Sequence, residues 1–148
     1  MPHFGLMDEA ALPCDEAALL RARLHLRGGR RRMDQGKFAA GVAALYDALC
    51  SGMRWYLLTT RTESLRGLAA EVDLRSDRDL FLALAQEGVF DTPQEFGRLD
   101  TLLDQCLCGL TPSLTADEVM ALIERWLTRL GVMPFDETAL PPEDPNTY

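Results

Sequence analysis

A chain of 148 residues, 47% hydrophobic and 26% charged, has the composition of an ordinary globular domain rather than a disordered segment. It is long enough to bury about two thirds of the surface its unfolded form exposes. No apolar run of about 18 residues occurs, which excludes a membrane-crossing helix, and an opening stretch with two acids and no signal-like apolar run points to a soluble, cytoplasmic protein.

The first stretch, residues 1 to about 13, reads as an arm closed by Pro13. Asp15 is placed to cap a helix through EAALLRARLHLRGGRRRM, with Leu20 and Leu24, and less well Leu19 and Leu26, on its buried side. Gly28 and Gly29 weaken the middle of that helix and are expected to bend it or end it early. Asp34, Gln35 and Gly36 make a turn short enough to force an antiparallel helical hairpin.

The second helix is the longest uninterrupted helical pattern in the chain, Gly36 to Thr60. Phe38, Val42, Leu45, Leu49, Met53 and Tyr56 recur at steps of three and four, the stripe of a core helix. Gly41, Ala44, Ala48 and Gly52 form a second stripe of small residues. Two glycines inside a helix cost about 1 kcal/mol each against alanine, which close packing with a neighbour, or less readily a ligand groove, would offset.

After Thr60 a short helix over Glu63 to Val72 is the weakest expectation. Ser76 and Asp79 have the spacing of a cap and its partner before Leu80, Phe81 and Leu84, with Gly88 as the stop. Thr92, Pro93 and Glu95 repeat that start signal, opening a helix with Phe96, Leu99, Leu103, Cys106 and Leu110 on one stripe. Thr115 and Glu118 form a capping box with Leu114 and Val119 as its staple. The last helix carries Val119, Leu122, Ile123, Trp126, Leu127 and Leu130 on one face and stops at Gly131. The sum is an all-α domain over 1–131, an antiparallel bundle of four to six helices, followed by an extended Pro- and acid-rich tail over 132–148.

The net charge of −8 is unevenly spread. Seven bases and one acid lie between Arg21 and Lys37, whereas twelve acids and three bases follow from Glu87 onward. These two regions either attract each other or are simply solvated. The functional alternative gives Arg27, Arg30, Arg31 and Arg32 to a phosphate-bearing or acidic partner. Arg54, Trp55 and Tyr56 form a second candidate surface, since an aromatic beside an arginine can stack on a base or a peptide. Packing of Trp55 and Tyr56 on a neighbouring helix, with Arg54 outside, is the simpler expectation.

Catalytic chemistry finds little support. A nucleophile needs a base, and the candidates are His3 in the arm and His25, which reads as a surface or boundary imidazole. No phosphate-binding glycine loop is present, and Asp77 and Asp79 are explained by the positive end of a helix. The four cysteines, at 14, 50, 106 and 108, make no paired Cys-x-x-Cys framework. Reduced thiols, no cofactor and no metal are therefore expected; a metal or redox bundle is the third-ranked alternative.

The run ARLHLRGGRRRMDQGKFAAGVAALYDALCSGMRWYLL resembles the first two helices of HEPN-like domains, in which a helix ends at a Gly-containing turn and a long Ala-rich helix follows. The similarity covers about residues 17 to 58 and rests on helical texture and turn position. It implies a bundle of the kind found in toxin–antitoxin or nucleotidyltransferase systems, commonly dimeric, whose active members resemble ribonucleases with an Arg followed four to six residues later by His. Here Arg21 precedes His25 with three residues between them, on the first helix, and no later His exists. The resemblance therefore implies a non-catalytic version, with no catalytic residue carried over. The expectation is a homo-oligomer or a protein that binds a protein partner, with RNA or nucleotide binding through the arginine cluster as the alternative.

Overall fold

The computed structural model describes residues 11–59, 76–144 and 146. Five α-helices and no strand lie within them: α1 (Cys14–Asp34), α2 (Phe38–Thr59), α3 (Asp77–Gln86), α4 (Glu95–Leu107) and α5 (Ala116–Leu130). An extended segment follows, interrupted by one 3₁₀ turn at Glu137–Ala139. The architecture is the expected antiparallel helical bundle. The short helix read over 63–72 lies outside the described residues.

The α1–α2 pair makes the most extensive helix–helix contact among the described residues. Gly28 and Gly29 do not end α1, which runs unbroken through both. The reason is steric: a Cβ built on Gly29 would lie 2.7 Å from Leu45 Cδ2, so the glycine is where α2 comes closest. Along α2, Val42, Leu45, Leu49 and Met53 are fully buried, as are the small residues Gly41, Ala44, Ala48 and Gly52. The small stripe is filled by protein: a Cβ on Gly52 would meet Leu127 and Val132, each at 3.1 Å. Packing on both sides thus makes α2 the centre of the bundle and offsets the propensity loss of its glycines.

The helix starts show where local chemistry decides. Ser76 accepts from the Asp79 amide to open α3, and Thr115 with Glu118 closes a full capping box at α5. Two expected starts differ. Pro13 rather than Asp15 occupies the cap of α1, leaving Asp15 in the first turn where its charge favours the helix dipole. At α4 the Thr92-Pro93-Gln94 segment forms a turn and the helix begins at Glu95; Thr92 spends its hydroxyl on the Glu95 carboxylate instead of a backbone amide.

A cluster of rings joins the later helices. Phe81 stacks on Phe90 and Phe96 with centroids 4.3 Å apart in both pairs, and meets Trp126 edge-on at 4.9 Å. Each such pair contributes about 0.5–1.5 kcal/mol beyond its buried area. All six residues expected on the inner face of α5 are buried, and Gly131 ends the helix at φ 84°. In α4 the inner stripe is Phe96, Leu99 and Leu102, with Leu103 and Cys106 half-buried. Leu110, expected on that stripe, is 62% exposed. The helix has already ended at Leu107, and Gly109, at φ 67°, turns the chain away.

Replacing Gly29 with alanine sets a gain in helix propensity of about 1 kcal/mol against an overpacking penalty of about 1–3 kcal/mol. The buried Leu45 side chain has little room to yield, so urea denaturation of Gly29→Ala should show a net loss of stability. A midpoint raised as at an exposed helical glycine would remove the close approach as the organising contact.

Candidate functional site

The first helix owes its arginine face to the way it is buried. Its leucine and glycine stripe turns toward α2, which leaves Arg23, Arg27, Arg30 and Arg31 half-buried beside that contact. The chain after Gly131 then returns across this face. Val132 is fully buried, its amide bonded to Leu127 O at 2.9 Å, and its carbonyl accepts from Arg23 Nε at 3.2 Å. Phe135 lies under the Arg23 guanidinium, 5.1 Å from ring centroid to Cζ.

Carboxylates follow. Arg30 reaches Glu124 of α5 at 2.8 Å through Nη2 and Glu137 through Nη1. Glu143 takes two arginines, Arg31 at 3.1 Å and Arg27 at 3.7 Å, and its side chain is only 13% exposed. Burial lowers the Arg23 guanidinium below its usual range. Burial and then Arg31 do the same to Arg32, with Glu143 opposing; both remain charged, since arginine titrates far above neutral pH. The structure therefore brings Arg27, Arg30 and Arg31 together under acids from the other end of the chain. Of the two simple readings of the charge asymmetry, mutual attraction describes these arginines.

A cleft of about 370 Å³ borders this face, lined by Arg30, Met33, Asp34, Ala116, Asp117 and Met120. A second, of about 210 Å³, lies between α4 and α5, and its charged lining is paired: Arg98 with Glu95 and Glu118, Arg125 with Glu95.

The other candidate surface is a joint of the fold. Trp55 and Tyr56 pack against the core, and Arg54 donates to Asp77 at 3.1 Å. Around that pair sit Tyr46, Asp47 and Cys50, all three titrating above their ordinary ranges. Burial is the main cause in each; it is followed by Asp77 for Asp47 and Cys50, and by Cys50 for Tyr46. A thiol pushed upward holds its proton, the opposite of an activated nucleophile. His25, expected at the surface, is 4% exposed because burial on α1 extends round past the leucine stripe. His3 lies outside the described residues.

Sequence reasoning missed Glu124, Glu137 and Glu143 as partners of the arginines, and missed Leu107, which is 85% exposed. Charge asymmetry was the available signal for the first group. For Leu107 the signal is that residues 105–116 contain no acid or base, the longest such run in the chain. Among the described residues no group of three or more His, Cys, Asp or Glu is arranged to hold a metal, and no helix is long and apolar enough to cross a membrane. No family model matches the chain, and neither the curated proteins nor the solved structures returned a match.

The raised titration of Asp47 has a definite sign. A carboxyl that binds its proton more tightly when folded destabilises the fold as pH rises above the unfolded value of 3.8. Asp47→Asn should therefore raise the thermal midpoint at neutral pH, with the gain closing as pH falls below that value. Equal midpoints at pH 7 would show that Arg54 fully offsets the burial.

Proposed function

We propose that this chain is a non-catalytic HEPN-like bundle that acts by self-association, using the end of α4 and the loop to α5 as its contact surface. The observation that carries this reading is the exposure of Leu107 and Leu110, at 85% and 62%. Large apolar side chains left in water at one place are the usual mark of a contact site. Each one fully buried contributes about 1.5–3 kcal/mol.

Two further features support it. The loop is held in shape: Gln105 Oε1 accepts from the Ser113 amide at 2.8 Å, Gln105 O accepts from the Leu110 amide at 2.9 Å, and Leu114 is buried. An ordered surface loses little entropy on docking. The occupant best suited to it is a second copy of the chain. A molecule of net charge −8 repels itself over most approaches, and the uncharged stretch 105–116 is where two copies meet without opposing carboxylates. A two-fold contact also uses each leucine twice. The HEPN-like resemblance, in a family commonly dimeric, points the same way.

Light scattering over a rising concentration series should give a mass above that of one chain, not lowered by added salt, because the contact is apolar and salt screens the repulsion between like-charged copies. The pair Leu107→Glu and Leu110→Glu should return it to a monomer without lowering the thermal midpoint. A wild-type chain that stays monomeric at every concentration would overturn the reading, as would a double variant that associates equally well.

A further inference from the structure

The extended C-terminal segment is attached in two different ways, and the difference carries an inference independent of the Leu107–Leu110 contact. Its first residues are part of the core: Val132 is fully buried, and the amides of Val132 and Met133 both bond to Leu127 O. Beyond Met133 the attachment changes. Among the described residues, the backbone hydrogen bonds of this segment, from the Ala139 and Leu140 amides, close its own 3₁₀ turn. What holds it to α1 is side-chain contact: Phe135 under Arg23, Glu137 on Arg30, and Glu143 on Arg27 and Arg31.

The exposed Arg30–Glu137 pair is weak and screened by salt, whereas the shielded pairs of Glu143 with Arg27 and Arg31 are screened less. They persist because the strap is tethered, which places its carboxylates at a high local concentration beside the arginines. A tethered occupant held by side chains alone opens by local release without unfolding the bundle. Once released, it uncovers a surface already shaped for a peptide: a guanidinium that stacks on a ring, then three more guanidinium groups spaced along the helix for carboxylates. Arginine clusters of this sort are a recurring way of recognising acidic segments.

We infer that the arginine face of α1 is a docking site for an extended acidic peptide with an aromatic residue ahead of its carboxylates, and that the strap over 134–144 occupies it in cis. The strap is then a competitor as well as a cover. Any ligand binds with its affinity reduced by the fraction of molecules in which the strap is released.

A fluorescein-labelled peptide of residues 132–144, added to the full-length chain, tests this by anisotropy. The variant Glu137→Gln/Glu143→Gln should bind the peptide about tenfold more tightly than the wild type, since its own strap competes less well. Raising sodium chloride should weaken binding, and adding Arg27→Ala/Arg31→Ala to the loosened variant should abolish it. Equal affinities for wild type and variant, or no binding to a variant whose thermal midpoint shows it folded, overturns the inference. So does a short single-stranded oligouridine binding the loosened variant where the peptide does not, which would make the face a phosphate site.

Discussion

The approach of α1 to α2 at Gly29 and Leu45 is the constraint from which the remaining structure follows. A glycine there lets the two helices sit closer than any side chain would permit, and this fixes which way the rest of α1 points. Leu26 and Ala22 go to the shared core, and the arginines are left on the neighbouring face. The same economy of side-chain size recurs two turns further along α2, where Gly52 admits Leu127 and Val132. Since Val132 anchors the chain just ahead of the strap, a packing requirement at α2 sets where the acidic segment starts its path over α1. Two close approaches, two turns apart along a single helix, thereby bring the basic and acidic ends of the chain together.

Charge then does what packing alone does not. Arg27, Arg30 and Arg31 lie on one helix face at intervals of one to four residues, an arrangement that repels itself unless counter-charges are near. Glu124, Glu137 and Glu143 supply them from two different elements. Glu124 is fixed on α5, whereas the two strap glutamates are held only as firmly as the strap. Glu143 is the more deeply placed of these two, shared between two guanidinium groups and mostly shielded from water. Losing it leaves two cations facing each other, a larger effect than loss of an exposed ion pair.

Periodic features were legible in the sequence and contact features were not. The six inward residues of α5, its capping box and its glycine stop all follow from spacing within a few residues, and each appears as read. The second helix was equally clear, from its large-residue stripe to its small-residue stripe. What failed depended on neighbours far along the chain. Gly28 and Gly29 read as weak points because propensity counts them against a helix, whereas Leu45 gives one of them a reason to be there. The burial of His25 and the docking of Glu143 depend on segments that no local pattern announces. Leu110 was lost for a smaller reason: a helix three residues shorter than its apolar pattern carries the next leucine into solvent.

The two surfaces draw on different forces, and this keeps them separable. Leu107 and Leu110 offer apolar area at an uncharged loop, so the proposed contact there would not be weakened by ionic strength. The arginine face offers charge that is already compensated, so its exchange depends on salt and on how firmly a tethered segment competes. With the strap in place the arginine face is covered by carboxylates. Release of the strap, as proposed, would leave the loop after α4 undisturbed, because that loop is held by Gln105 and by the buried Leu114. On the proposed reading, contact through one end of α4 and the occupancy of α1 would vary independently.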